Sequence, residues 1–141
     1  MQHRFSLLMI RIDGQGYHLM VKARLYGYSM NLVLDTGATR SVLDAHRTLK
    51  IVPQANPRPW NKLFSGIGGE NLQTQCLQVS EFCIEDVPLT QREFILLDLH
   101  KINHVYAAFD LPRIDGVLGG DILMEYQGVI NYKEQYLQLE I

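Results

Sequence analysis

Leu32-Val33-Leu34-Asp35-Thr36-Gly37-Ala38-Thr39-Arg40-Ser41-Val42-Leu43 is the stretch that decides how the chain is read. Leu32 to Leu34 is a short apolar run of the kind that forms a buried strand, and Val42-Leu43 opens a second one. Between them Asp35, Thr36 and Gly37 read as a turn, because Asp hydrogen-bonds its own local backbone and Gly accepts conformations closed to other residues. The pattern puts one carboxylate where a buried β-segment ends. Taken alone, Asp and Gly between strands have a backbone explanation, so the chemical meaning of the turn depends on what accompanies it.

Two further segments accompany it. Ser65-Gly66-Ile67-Gly68-Gly69-Glu70 is a glycine-rich hairpin tip with one apolar side chain, and Ile114-Asp115-Gly116-Val117-Leu118-Gly119 ends in an apolar-apolar-Gly strand. In order and spacing the three segments resemble one lobe of a retropepsin-like aspartic protease, the single-lobe retroviral type, in its bacterial cellular form. The resemblance is dense over residues 17–43 and 114–141 and loose between them. It implies an all-β acid-protease barrel with a flap hairpin and one or two short helices, built as a single domain over residues 1–141.

The resemblance also implies a chemistry. Aspartic proteases use two carboxylates sharing one proton, one taking a proton from water while the other gives one to the scissile carbonyl. This chain has one Asp-Thr-Gly, so the second carboxylate must come from another copy, and a two-fold axis sets Asp35 opposite its equivalent. Asp35 is then the catalytic residue of a homodimeric endopeptidase acting on peptide or protein substrates. Thr36 supports it by hydrogen bonding across the axis, and Gly37 by allowing the tight backbone path. Ala38, Thr39 and Val117 are expected to bind substrate, together with Gly66, Ile67, Gly68 and Gly69 of the flap, which would close over an extended peptide and exclude water. The dimer interface is expected around Thr36 and along the terminal strand, Tyr136 to Ile141. No cofactor and no metal are implied.

Composition agrees with this reading without carrying it. With 141 residues, 47% of them hydrophobic, the chain can bury a real core, which argues against disorder and against a disulfide-stapled mini-fold. A formal charge of -2 with both signs scattered gives no basic face for nucleic acid. Cys76 and Cys83 are too close in sequence for a secreted framework and lack zinc-site spacing, so both read as reduced strand or core residues. The apolar stretch Phe5 to Ile10 is too short for a signal-peptide core and nothing reaches membrane-spanning length, so a soluble cytoplasmic protein with no membrane partner is expected.

Strand-like segments run through most of the chain. Phe5 to Ile12 and Tyr17 to Leu25 form a hairpin about Asp13-Gly14-Gln15-Gly16, and Ser29 to Leu34 follows the Tyr26-Gly27-Tyr28 turn. Ser41 to Leu49 continues as strand and a short helical turn, and Pro53, Pro57 and Pro59 mark a loop. Trp60 to Phe64 and Asn71 to Val79 are the flap arms, and Phe82 to Val87 and Glu93 to Leu99 are further strands. Ile102, Val105, Tyr106 and Phe109 recur at helical spacing over His100 to Phe109. Asp121 is placed to cap a helix over Ile122 to Tyr126, which Gly128 ends before a terminal hairpin of Val129 to Tyr132 and Tyr136 to Ile141.

Other candidate groups have plainer explanations. Asp115 lacks the following Thr or Ser and leads into a buried strand, and Asp13 is a turn residue. His100 and His104 share a helical face, but Lys101 stands where a zinc-protease motif carries Glu, so they read as a solvated face. His46 reads as a surface residue. Thr39 and Arg40 occupy places that are acidic in viral retropepsins, so substrate preference does not carry over. Two alternatives stay open on sequence: a catalytically silent peptide-binding or assembly module with the same fold, and a self-processing domain cut from a larger precursor.

Overall fold

A computed structural model of the chain describes residues 1–12, 14, 16–60 and 74–141. The N-terminal apolar run, expected as one strand, is two: β1 (Gln2–Ser6) and β2 (Leu8–Ile12), which join different sheets. Phe5 and Leu7 are buried but the next buried residue is Ile10, so the two-residue period slips at Leu8 and the chain crosses from one sheet to the other. β2 pairs with β3 (Gly16–Leu25), and β3 with β4 (Tyr28–Leu34), both antiparallel. Tyr26 (φ 47°) and Gly27 (φ 85°) make the second turn, both left-handed as a tight hairpin's twist requires.

β5 (Val42–Asp44) passes directly into α1 (Ala45–Ile51). The expected helical turn after the strand is a helix running to Ile51, and it starts where it does because the Asp44 carboxylate accepts the Arg47 amide at 2.9 Å and caps it. With this helix the described residues hold three helices. β6 (Arg58–Pro59) pairs with β7 (Gln75–Val79), and its position at a sheet edge is what lets Pro59 join a ladder. β8 (Phe82–Ile84), β9 (Val87–Pro88) and β10 (Arg92–Leu97) follow, then α2 (His100–Ala108), β11 (Gly116–Leu118) and α3 (Gly120–Glu125). β12 (Val129–Asn131) and β13 (Tyr136–Glu140) close the chain as the expected hairpin.

The large sheet has the order β6-β7-β10-β5-β11-β4-β3-β8-β9, with β2 also on β3. Its decisive feature is β11, which lies parallel to β4 on one side and antiparallel to β5 on the other. The two strands flanking the Asp-Thr-Gly turn are thus held apart by a strand from much later in the chain. Leu32, Leu43 and Leu118, one from each strand, are fully buried together with Ile122 of α3. Each such side chain contributes about 1.5–3 kcal/mol by leaving water, so the turn is anchored by packing more than by its own hydrogen bonds.

The small sheet has the order β1-β13-β12. β13, expected at a dimer interface, is its central strand with both edges already paired, and among the described residues the outer edges of β1 and β12 are unpaired.

Candidate active site

Asp35 follows the last residue of β4, where pairing with β11 ends at Leu34↔Leu118. Its amide donates to the Leu118 carbonyl at 3.0 Å, the Ala38 amide donates to its carbonyl at 3.2 Å, and the Gly37 amide donates to its Oδ1 at 2.9 Å. The carboxylate is half-buried, and among the described residues it meets no second carboxylate and no cation. A Cβ on Gly37 would lie 3.2 Å from Asp35 Oδ1, so a side chain there would crowd the carboxylate. Thr36 is exposed, and its hydroxyl has no partner in the chain among the described residues.

The far side of the turn is tied down. The Gly120 amide donates to the Ala38 carbonyl at 2.8 Å, and the Ser41 hydroxyl accepts the Gly119 amide at 2.9 Å while donating to Asp121 at 2.7 Å. Asp121 therefore does not cap α3, whose N-cap is Gly119; its carboxylate is engaged by Ser41, whose amide also donates to it at 3.0 Å. Gly116 and Gly119 are required by contact: a Cβ on Gly116 would stand 2.3 Å from the Val42 carbonyl oxygen, and one on Gly119 2.8 Å from the Ala38 carbonyl oxygen.

A pocket of about 250 Å³ opens beside Asp35. Its walls are Leu19, Val33, Leu34, Leu99, Ile102, Ile114 and Val117, and its rim carries Tyr17, His18 and Tyr132. Asp35 is its only carboxylate among the described residues. Val117, expected to bind substrate, lies in the wall of this pocket. Ala38 does not line this pocket; it is buried against Val42, Cys76, Ile95 and Val117. Thr39 is exposed on the same turn. Gly66, Ile67, Gly68 and Gly69 lie outside the described residues; the described residues on either side of that stretch pair with each other, Arg58↔Cys76 and Pro59↔Gln75, with the Trp60 amide donating to the Thr74 carbonyl at 2.8 Å.

Sequence reasoning did not single out α2 as part of the site. Its periodicity was legible, but only Ile102 and Tyr106 turn inward, while Val105 and Phe109 remain exposed. Asn103 was equally silent: its amide group donates to the Ile114 carbonyl at 2.9 Å and accepts the Ile114 amide at 2.7 Å, as a neighbouring strand would. That two-way bond fixes the segment that leads into β11 and forms one pocket wall.

Asp115 is held quite differently from Asp35. It is buried, accepts the Asn31 amide at 2.9 Å, and lies 3.4 Å from the Arg47 Nε and 3.5 Å from the Arg113 Nε. Burial raises its carboxyl pKa above the ordinary range, against the Asn31 bond and the two guanidinium groups, which lower it. His100 and His104 are exposed with ring centroids 6.4 Å apart, and no cluster of metal ligands occurs among the described residues. No helix among them is long and apolar enough to cross a membrane. Cys76 is buried and Cys83 half-buried, both free.

A family model described as aspartyl protease matches residues 21–122, which contain the Asp-Thr-Gly turn, β11 and the start of α3. The chain belongs to the aspartyl protease family. Solved structures show the same retropepsin-like fold. A retropepsin-like aspartic protease from Rickettsia conorii aligns with a TM-score of 0.57 at 14% identity, covering 99% of this chain and 89% of that one. The retroviral protease-like domain of Ddi1 from Leishmania major gives 0.56 at 15% identity, over 87% of this chain and 88% of that one. EIAV protease, solved with the inhibitor HBY-793, gives 0.52 at 19% identity, over 82% and 93%. No curated protein matches the sequence. The fold is an all-β single acid-protease lobe with short helices.

Proposed function

We propose that this aspartyl protease family member is an endopeptidase that works as a symmetric homodimer, with Asp35 of each copy forming half of the catalytic pair. The observation that carries this reading is the state of Asp35: a carboxylate fixed by backbone bonds at the mouth of an apolar pocket, with no partner acid in its own chain among the described residues. Placed across a two-fold axis from its equivalent, it can share one proton and activate a water for attack on a peptide carbonyl. Thr36 and Gly37 support it. The unpartnered Thr36 hydroxyl is available to bond across the axis. The substrate is an extended peptide lying over the turn beside Ala38, Thr39 and Val117, with Gly66, Ile67, Gly68 and Gly69 acting as the flap residues that cover it.

The partner copy meets this one through the turn and through β12. β13 has no free edge, whereas among the described residues β12 does, and Tyr132, immediately beyond β12, forms part of the rim of the Asp35 pocket. An antiparallel β12 pair across the axis would extend the small sheet through both copies while bringing the two turns together.

The test is incubation of wild-type and Asp35→Asn protein with a library of unstructured peptides across acidic and neutral pH, scored by mass spectrometry. Cleavage by the wild type alone, with a rate that rises and falls with pH as one shared proton requires, is the expected result. Equal cleavage by both proteins would falsify the reading. Peptide retention without cleavage would favour the silent binding module.

A further inference from the structure

Tyr106 and His18 form a polar pair in a pocket whose walls are otherwise aliphatic, with Asp35 at its mouth and Tyr17 and Tyr132 at its rim. Tyr106 comes from α2 and is only 3% exposed, while His18, near the start of β3, is exposed at the rim. The phenolic oxygen is hydrogen-bonded to His18 Nδ1, with the two ring centroids 5.8 Å apart. Burial pushes the Tyr106 phenol above its ordinary range, so it keeps its proton. A buried hydroxyl left without an acceptor is unfavourable, and His18 Nδ1 is the acceptor present.

The direction of that bond fixes the imidazole. If Nδ1 accepts from the phenol, the ring proton of the neutral imidazole resides on Nε2. Nε2 has no partner in the chain among the described residues. Beside Tyr17 and Tyr132, the rim of the pocket therefore carries an N–H donor whose tautomer is set by α2, above walls that are mostly aliphatic. A side chain entering the pocket reaches those walls. The donor at the rim is left to the peptide backbone, whose carbonyls pass over the mouth at regular intervals in an extended chain.

We propose that His18 is a substrate-binding residue whose Nε2–H donates to a backbone carbonyl of the bound peptide, next to the residue whose apolar side chain fills the pocket. This rests on reading the Asp35 pocket as a peptide site. Tyr106 acts through His18 and is a positioning residue, so α2 contributes to recognition without touching the substrate's reacting bond.

Binding is measured on the 141-residue chain carrying Asp35→Asn, and cleavage on the wild type. The probe is a fluorescein-labelled octapeptide with leucine and phenylalanine at its two central positions, made also as single thioamides, each weakening one carbonyl acceptor. His18→Leu should weaken binding about tenfold, the loss of one hydrogen bond, and raise KM by a similar factor with kcat little changed. His18→Gln, which keeps an N–H donor, should recover most of the affinity, and Tyr106→Phe should fall between. One thioamide should weaken binding to protein carrying His18 and make no difference to His18→Leu. A merely structural role for His18 would not produce that selective loss. If cleavage proceeds and His18→Leu leaves Kd and KM unchanged, the inference fails and the protease reading stands. If nothing is cleaved but the His18-dependent thioamide effect persists, the protease reading fails and the inference stands. Failure of every protein to bind the octapeptide overturns the inference.

Discussion

Asp35 and Asp115 sit on the same pair of parallel strands and have opposite surroundings. Asp115 precedes β11 at the level of Asn31, and Asp35 follows β4 four residues further on, about 13 Å along the sheet. Asp115 is buried, flanked by two arginines and an amide, while Asp35 is half-exposed, held by one amide and open to a pocket. A carboxylate surrounded by compensating partners is occupied in holding the structure. One fixed in place but left without a counter-charge is available for chemistry. On the proposed function, the same ladder has a structural end and a reactive end.

The comparison is broken most sharply by exchanging carboxylate for amide at each end. Asp35→Asn should lower peptide hydrolysis by about a thousandfold or more, because it removes the ionisable group and keeps the shape. Asp115→Asn should leave the rate within a few-fold of wild type. Loss of activity in Asp115→Asn with Asp35→Asn still active would reverse the assignment.

Next in size is the strand that joins the two ends. Gly116→Ala should destabilise the protein by about 1–3 kcal/mol, since the new Cβ would be driven into the Val42 carbonyl and the Leu32 side chain, and urea unfolding would measure it. An unchanged midpoint would show that β4, β11 and β5 are less tightly packed than their register implies.

A smaller effect is expected at the free edge of the small sheet. Val129 is 48% exposed on β12, and Val129→Lys should weaken dimerisation about tenfold while the monomer stays folded. Sedimentation and the concentration dependence of activity would show it. A dimer indifferent to this change would place the two-fold contact elsewhere.

The smallest effect concerns pH. Burial raises the folded-state pKa of Asp115, so the native protein holds this proton more tightly than the unfolded chain. The associated stability is fully present below the ordinary value of 3.8 and is lost as pH rises through the raised folded value. The wild-type-minus-Asp115→Asn difference in Tm should therefore fall as pH rises across that window. A difference that grows with pH would mean that Arg47 and Arg113 outweigh desolvation.

Much of this was written in local sequence. The Asp35-Thr36-Gly37 turn, the apolar runs around it, the Tyr26-Gly27 hairpin and the 3–4 spacing in α2 are short-range patterns, and short-range patterns survive in a linear reading. The strand break at Leu8 was also there, in the three-residue step from Leu7 to Ile10, though only the two-sheet structure gives that step a meaning. Asp121 resembled a helix cap because it stands at a helix start. Only the fold brings Ser41 to it from eighty residues earlier.

What tertiary structure alone decided is which residues share a space. The insertion of β11 between β4 and β5, the closure of β13 by both neighbours, the Asn103 clasp on Ile114 and the meeting of His18 with Tyr106 all join positions distant in the chain. Sequence by itself determined the carboxylate, its turn and the strand and helix segments, because these depend on residues a few positions apart. The walls and rim of the site depend on how those segments pack, and packing is set by side-chain volume and burial summed over the whole core.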